Sequence, residues 1–233
     1  MALYAIGDLH LAFQCDKTMD IYGGVWEKHE KKIEKYWNKV VKPEDTVVVV
    51  GDHSWGRKLR DCREDLEFIC DLPGKKVMIR GNHDMFWDAK KTDRLNDEYR
   101  DRLFFLQNNY YPYGDYAIVG TKGYVYEGKD TREHCEMIIE RECKRLRASF
   151  DAAVADGYEK FIMFLHYPPT EIGKKESRFT MIAKAYGVEQ IVYAHCHGKD
   201  RFHDSLLGKV DGIKYSLVSG DFLVFKPALI LDK

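Results

Sequence analysis

The chain has 233 residues, with 37 basic and 38 acidic side chains, a formal net charge of −1, 45% apolar content and 13% aromatic content. Such a length and composition suit a packed core and exclude disordered, collagen-like and disulfide-scaffold classes. No apolar run approaches the ~20 residues of a membrane span, and a near-zero charge argues against broad binding to nucleic acid or to anionic membrane.

In chain order, short apolar runs rich in Val and Ile alternate with longer amphipathic stretches. Residues 3–6 form the first run and lead into Gly7-Asp8. A helix is predicted over 26–40, with Ile33, Trp37 and Val40 on one face and Pro43 ending it. The run 46–50 leads into Gly51-Asp52, and a second helix is predicted over 59–72, stopped by Pro73-Gly74. The run 76–79 leads into Arg80-Gly81-Asn82-His83-Asp84. Strands are predicted at 103–107 and 115–120, followed by a long helix over 131–155. The run 161–165 precedes His166, a helix is predicted over 176–186, and the run 190–194 precedes His195. Strands at 213–219 and 222–225 complete the pattern. Strand and helix alternate over the first 90 residues, which points to βαβ units and a parallel sheet, while the later strands call for a mixed or second sheet. With no repeat or linker-like composition shift, residues 1–233 read as one domain.

Each polar cluster falls at the carboxyl end of a predicted strand, the edge at which α/β sheets bind ligands. The clusters supply Asp8 and His10, Asp52, Asn82 with His83 and Asp84, His166, and His195 with His197. Five of the nine histidines fall in this set. The pairs Asp8/His10 and His195/His197 are two apart, so in extended backbone both members of a pair point the same way. Oxygen donors mixed with imidazole suit Mn, Fe, Zn or Ni better than Ca or Mg.

The ordered set GDLH, GDH, RGNHD, LHYPP and HCHG resembles the signature of the calcineurin-like metallophosphoesterases across roughly residues 3–198, and the segment GDLHLAF through MDIYGGVWEKHEKKI is similar to a bacterial subgroup of that superfamily. The resemblance implies an α/β fold, a four-layer αββα sandwich with two mixed central sheets flanked by helices, and a two-metal site. It assigns Asp8, His10, Asp52 and His197 to one ion and Asp52, Asn82, His166 and His195 to the other, with Asp52 bridging. His83 would act as the acid, and Asp84 would orient it. The implied activity is hydrolysis of a small phosphate mono- or diester by a hydroxide shared between the two ions. A non-catalytic phosphate- or nucleotide-binding scaffold and a nuclease are the alternatives. The near-neutral charge and the lack of an evident added DNA-binding domain weigh against a nucleic acid partner.

The family's usual Gly-His-x-His reads Ala194-His195-Cys196-His197 here, which an extended backbone at residue 194 would tolerate. His53 is expected to point away from the metals, as are Leu9 and Cys196. Arg57, Arg80 and Arg178 are candidate phosphate ligands, with Arg57 favoured by its place in the loop after Asp52. Trp26, His29, Trp55, Phe86 and Trp87 lie near the motif loops and could line a leaving-group pocket, or simply pack. The polar loop 167–178 beside His166 could set specificity or be a plain connection. Six cysteines without a C-x-x-C pair, and a start lacking the basic segment of a secretory signal, set the expectation of free thiols in the cytoplasm.

Overall fold

The computed structural model describes residues 1–128 and 130–232. Two sheets form its centre. The first is ordered β11-β1-β2-β3-β4, built from β1 (Ala2–Ile6), β2 (Thr46–Val50), β3 (Lys75–Ile79), β4 (Leu103–Leu106) and β11 (Ala228–Asp232). Strands β1 to β4 run parallel, and β11 closes the edge antiparallel to β1. The second sheet is ordered β5-β6-β7-β8-β10-β9, from β5 (Tyr111–Tyr113), β6 (Tyr116–Thr121), β7 (Lys160–Leu165), β8 (Gln190–Tyr193), β9 (Gly208–Val210) and β10 (Ile213–Leu217). Its four inner strands are parallel, and both edge strands are antiparallel.

The residue alternation of each strand explains the layering. Leu3, Ala5, Val48, Val50, Val77 and Ile79 face inward, against Ile118, Ile162, Phe164 and Val192 of the second sheet. The opposite faces carry Val47, Val49, Met78 and Phe105 on one side, and Val119, Met163, Leu165 and Ile191 on the other. With both faces covered, the strands read as unbroken apolar runs such as Thr46–Val50, in which every residue is buried. Helices α1 (His29–Val40), α2 (Arg63–Asp71) and α3 (Thr92–Glu98) cover the first sheet through Ile33, Trp37, Leu66, Ile69 and Leu95. Helices α4 (Arg132–Ala155) and α5 (Arg178–Ala185) cover the second through Leu146, Phe150, Phe179 and Ile182. A short helix, α6 (Lys199–His203), follows the HCHG motif. The fold is therefore the four-layer αββα sandwich.

Two helix starts shift for local reasons. A 3₁₀ turn, Gly24–Trp26, precedes α1, and another, Leu59–Asp61, precedes α2. Thr131 and Ser177 accept hydrogen bonds from backbone amides one turn on and so cap α4 and α5. The strand expected at 222–225 is absent: those residues form a turn with Val224 and Phe225 at positive φ, and the pairing strand is Ala228–Asp232. The run is apolar because Phe225 turns back into the core, where it is fully buried. All six cysteines are free, and no helix among the described residues is long and apolar enough to cross a membrane.

Candidate metal centre

The carboxyl ends of the parallel strands of both sheets meet at one edge. Gly7, after β1, donates its N–H to Val218 beyond β10 (2.7 Å), and Asp8 and His10 donate theirs to Gly51 and Asp52 (both 2.9 Å). The two sheets are stitched together at the point where the polar motifs emerge. Asp8, Asp52, Asn82 and His83 come from the first sheet, and His166, His195 and His197 from the second.

The expected extended geometry of the i, i+2 pairs is not what brings these groups together. Asp8, His10, Asp52 and His195 all adopt left-handed backbone, with φ of +55°, +44°, +54° and +67°. Side-chain-bearing residues are seldom found there, and strained positions of this kind cluster at functional sites. Each bends the chain sharply, so the flanking Leu9 and Cys196 drop into the two outer cores. Ala194 keeps a negative φ, so its methyl is tolerated; that methyl packs against Gly7, whose own Cβ would lie 2.5 Å from it.

Asp8 and Asp52 each use one carboxylate oxygen structurally. The N–H of His195 donates to Asp8 Oδ2 (2.9 Å), and the N–H of His83 donates to Asp52 Oδ1 (2.8 Å). Their other oxygens, Asp8 Oδ1 and Asp52 Oδ2, are buried without a hydrogen-bond partner, as is His195 Nδ1. Imidazoles surround them at distances too long for hydrogen bonds. His197 Nε2 is 3.7 Å from Asp8 Oδ1, while His166 Nε2 and His10 Nε2 are 3.5 Å and 3.7 Å from Asp52 Oδ2. Two ligand atoms on one tetrahedral ion lie about 3.4 Å apart, so these spacings suit cations between the groups. Candidate ligand atoms of Asp8, His10 and His197 fall within 4.8 Å of one another, as do those of Asp52, His166 and His195.

Asn82 joins the second group. His166 Nδ1 lies 2.9 Å from the Val50 carbonyl, which fixes it as the donor and leaves Nε2 with a bare lone pair 2.8 Å from Asn82 Oδ1. Two acceptors in contact are what a shared cation satisfies. Burial and neighbouring charges shift these groups strongly. Burial raises the pKa of Asp8, and burial together with Asp84 and Asp8 raises that of Asp52 well above the carboxylate range. Burial and neighbouring histidines hold His10 and His166 well below the usual imidazole value. Burial also opposes charge on His197, but Asp8 and Asp221 outweigh it and lift the pKa to about 9.

Two carboxylates missed by the sequence reading hold the outer nitrogens of the HCHG histidines. Asp221 Oδ1 is 3.0 Å from His197 Nδ1, and Glu127 Oε1 is 3.1 Å from His195 Nε2. Such partners fix which ring nitrogen faces a metal and increase its basicity. Asp221 carries a signal, because Ser219-Gly220-Asp221 repeats the strand–Gly–Asp pattern of Gly7-Asp8 and Gly51-Asp52. Glu127 sits in an irregular loop with no such mark.

His83 faces the cavity with its side chain 35% exposed and Nε2 4.0 Å from Asp52 Oδ2. Trp55 stacks on His10 (centroids 4.6 Å apart, planes 21° apart) and leans on His83 (4.2 Å), while Lys17 Nζ sits 3.1 Å above the same indole. Burial, then Lys17, lowers the His83 pKa to about 4, leaving a neutral imidazole. Asp84 does not orient His83. Its carboxylate accepts the N–H groups of Asp52 (3.0 Å), His53 (2.9 Å) and Gly81 (2.7 Å) and lies 2.9 Å from His53 Nδ1. It ties the loops after β2 and β3 together beneath the site, and buried His53 points away from the metal group, toward Asp84 and the Val49 carbonyl.

The arginines lie apart from this centre. Exposed Arg57 lines a neighbouring groove with Lys17 and Met85, on the far side of Trp55. Arg80 is half-buried beneath the site near Asp84 and Glu142, and Arg178 pairs with Glu136. Phe86 and Trp87 are core residues. His29 lies 2.9 Å from the Leu9 carbonyl through its Nε2. From the loop 167–178, Tyr167 packs on His195 (4.1 Å). Trp26 lines the site, edge-on to His10 and His197. The cavity above the cluster measures about 870 Å³.

A family model described as calcineurin-like phosphoesterase matches residues 1–199. The gene 66 protein of Mycobacterium phage L5 is 41% identical over 58 residues, 25% of this chain and 28% of that protein. An uncharacterised protein of Methanocaldococcus jannaschii is 32% identical over 111 residues, 47% of this chain and 57% of the relative. The chain thus spans between about a quarter and three-fifths of the length of these curated relatives. Among solved structures, phosphopantetheinyl hydrolase of Mycobacterium tuberculosis superposes with a TM-score of 0.61 at 14% identity, covering 100% of this chain and 96% of that one. A protein of unknown function from Aquifex aeolicus gives 0.53 at 18% identity, covering 98% and 95%. At these identities the likeness concerns the fold alone.

Proposed function

The chain belongs to the calcineurin-like phosphoesterase family, and on that premise we propose that it hydrolyses a phosphate mono- or diester at a centre of two transition-metal ions. The observation that carries this reading is the pair of buried carboxylate oxygens, Asp8 Oδ1 and Asp52 Oδ2, that lack hydrogen-bond partners inside a ring of imidazoles. Leaving such groups unpaired in a buried site is unfavourable unless cations complete it.

Asp8, His10, Asp52 and His197 would hold one ion, and Asp52, Asn82, His166 and His195 the other. The donor set of carboxylate, imidazole and amide oxygen suits Mn, Fe or Zn. When bound, two such ions supply Lewis acidity, easing deprotonation of water and attracting the phosphoryl group. With only two carboxylates in the ligand set and the rest neutral, the centre stays cationic toward an anionic ester. In the net reaction the oxygen of water ends on phosphorus, the ester P–O bond breaks, and the alcohol leaves with a proton. His83 is positioned for that last transfer. Its Nε2 faces the cavity beside Asp52, and Trp55 restrains the ring. An anionic phosphoryl group beside the ring favours its protonated form, so the ring would take a proton from solvent as substrate binds and pass it from Nε2 to the departing oxygen, while the attacking water gives up its protons to solvent.

The test is phosphate release from chromogenic mono- and diesters across a panel of metals. Wild type should turn over with at least one ion, and His83→Ala should lose roughly 10²-fold or more while metal content is unchanged. Loss of metal in that variant would remove His83 from the acid role. Tight substrate binding without release in single-turnover assays would favour the non-catalytic scaffold.

A further inference from the structure

The cavity over the candidate centre is much larger than a phosphoryl group, at about 870 Å³, within the ~300–1,000 Å³ range of small-molecule sites. Its floor is His10, Asp52, Trp55, His83, His195 and His197; beside it Met19, Tyr22, Val25, Trp26, Phe202 and Val224 form an apolar wall. Away from the floor the charged groups lining it are Lys199 and Asp221, and Asp221 is already engaged by His197 and the N–H of Gly198. Beyond Lys199, the Tyr22 hydroxyl and the Trp55 indole N–H, the lining offers few side-chain groups that could hydrogen-bond to a substrate bearing several phosphates or many hydroxyls. Tyr22 of this wall is 66% exposed, and its chain neighbour Ile21 is 76% exposed.

A second observation concerns the turn after β10. Val224 has φ of +50° and Phe225 has φ of +58°. Left-handed backbone is a genuine outlier for a β-branched residue. The turn is pinned by the N–H of Phe225 donating to the Gly220 carbonyl (2.7 Å) and that of Leu223 donating to Ser219 (3.0 Å). Phe225 is buried against Trp26, with centroids 5.1 Å apart, and this accounts for its own conformation. Val224 gains no such burial: it is 52% exposed and faces the cavity. The strain therefore holds an apolar side chain at the mouth of the site, where Asn or Gly would suit the backbone better.

We propose that this wall receives the alcohol portion of the ester, and that this alcohol is a large, uncharged, apolar group. The inference rests on the phosphoesterase reading and narrows it to a substrate class. The floor takes the phosphoryl group, while Trp26, Phe202 and Val224 select its substituent.

The experiment compares kcat/KM for ethyl, n-hexyl and 2-phenylethyl phosphate with the best metal. Their alcohols have closely similar acidity, so the ratios read recognition and not leaving-group chemistry. The longer esters should exceed ethyl phosphate by roughly 10²-fold; preference for hexyl identifies an aliphatic alcohol and preference for phenylethyl an aromatic one. Val224→Asn should lower that ratio by about tenfold with no fall in Tm, because Asn tolerates the left-handed backbone. Phe202→Asp should lower the ratio as well, an independent check from the other side of the wall. Ratios within about threefold of one in wild type, or ratios indifferent to both substitutions, overturn the assignment of the wall while leaving the phosphoesterase reading intact. Failure to hydrolyse all three esters and the chromogenic ones with every metal overturns both.

Discussion

At the scale of single residues, Asp52 carries more of the site than any other group. One of its oxygens fixes the His83 loop, and the other faces His10, His166 and His83. Asp52→Asn should therefore reduce occupancy at both metal positions, as read by elemental analysis after dialysis; retention of both ions would end its bridging assignment. Asp221 acts one step further out, through His197. Asp221→Asn should weaken metal affinity by about 10–100-fold, measurable by titration calorimetry. An unchanged affinity would mean that His197 is oriented by its packing against His10 and Trp26 alone. Most of the ligand candidates were legible in the sequence because each follows an apolar run at a glycine or a histidine motif. Their geometry was not. The left-handed turns at Asp8, His10, Asp52 and His195 depend on hydrogen bonds between loops distant in sequence. Asp84 was misread for the same reason, since its partners are backbone amides more than 30 residues away as well as its own loop.

At the scale of elements, the parallel strands were legible from short Val- and Ile-rich runs, and the long helix α4 from its length and its Thr131 cap. The short α3 and the edge strands β5 and β9 carry too little periodicity to stand out. The apolar residues at 222–225 imitate a strand although they serve as a turn that returns Phe225 to the core. The junction of β1 with the loop after β8 depends on one pair of small residues. Adding a Cβ at Gly7 would bring it to 2.5 Å from Ala194 Cβ and 3.0 Å from the Val50 carbonyl. Gly7→Ala should destabilise by about 1–3 kcal/mol through overpacking and displace Asp8 from the metal group. Ala194→Gly alone should cost about 0.5–1 kcal/mol. The double variant should recover much of the Gly7→Ala loss, because the closest clash is gone. A double-mutant cycle by urea denaturation reads this directly; strict additivity would show that the two positions do not press on each other.

At the scale of the whole molecule, the two sheets share an apolar interior, and the motif loops bring their polar ends together at one edge. Asp8, Asp52 and Asn82 extend from the first sheet, and His166, His195 and His197 from the second, so ions held among them would tie the two sheets together. Metal at 100 times its dissociation constant stabilises a folded state by about 2.7 kcal/mol, which for a chain of this size corresponds to a Tm shift of about 5–10 °C. Chelation should lower Tm by that order, and a Tm indifferent to chelator would mean that the sheets hold the site closed unaided. The sandwich itself was foreshadowed by the ordered motifs, whereas the closing of the first sheet by the last strand, β11, left no mark beyond a short apolar run.

The most direct test of a phosphoesterase with a two-ion centre is stoichiometric reactivation. Protein stripped by chelator is titrated with Mn, Fe or Zn while phosphate release from an ester is followed. Activity absent in the stripped protein and rising until two ions are bound per chain is the predicted result. Activity that survives stripping, or that reaches its maximum with a single ion, would contradict it.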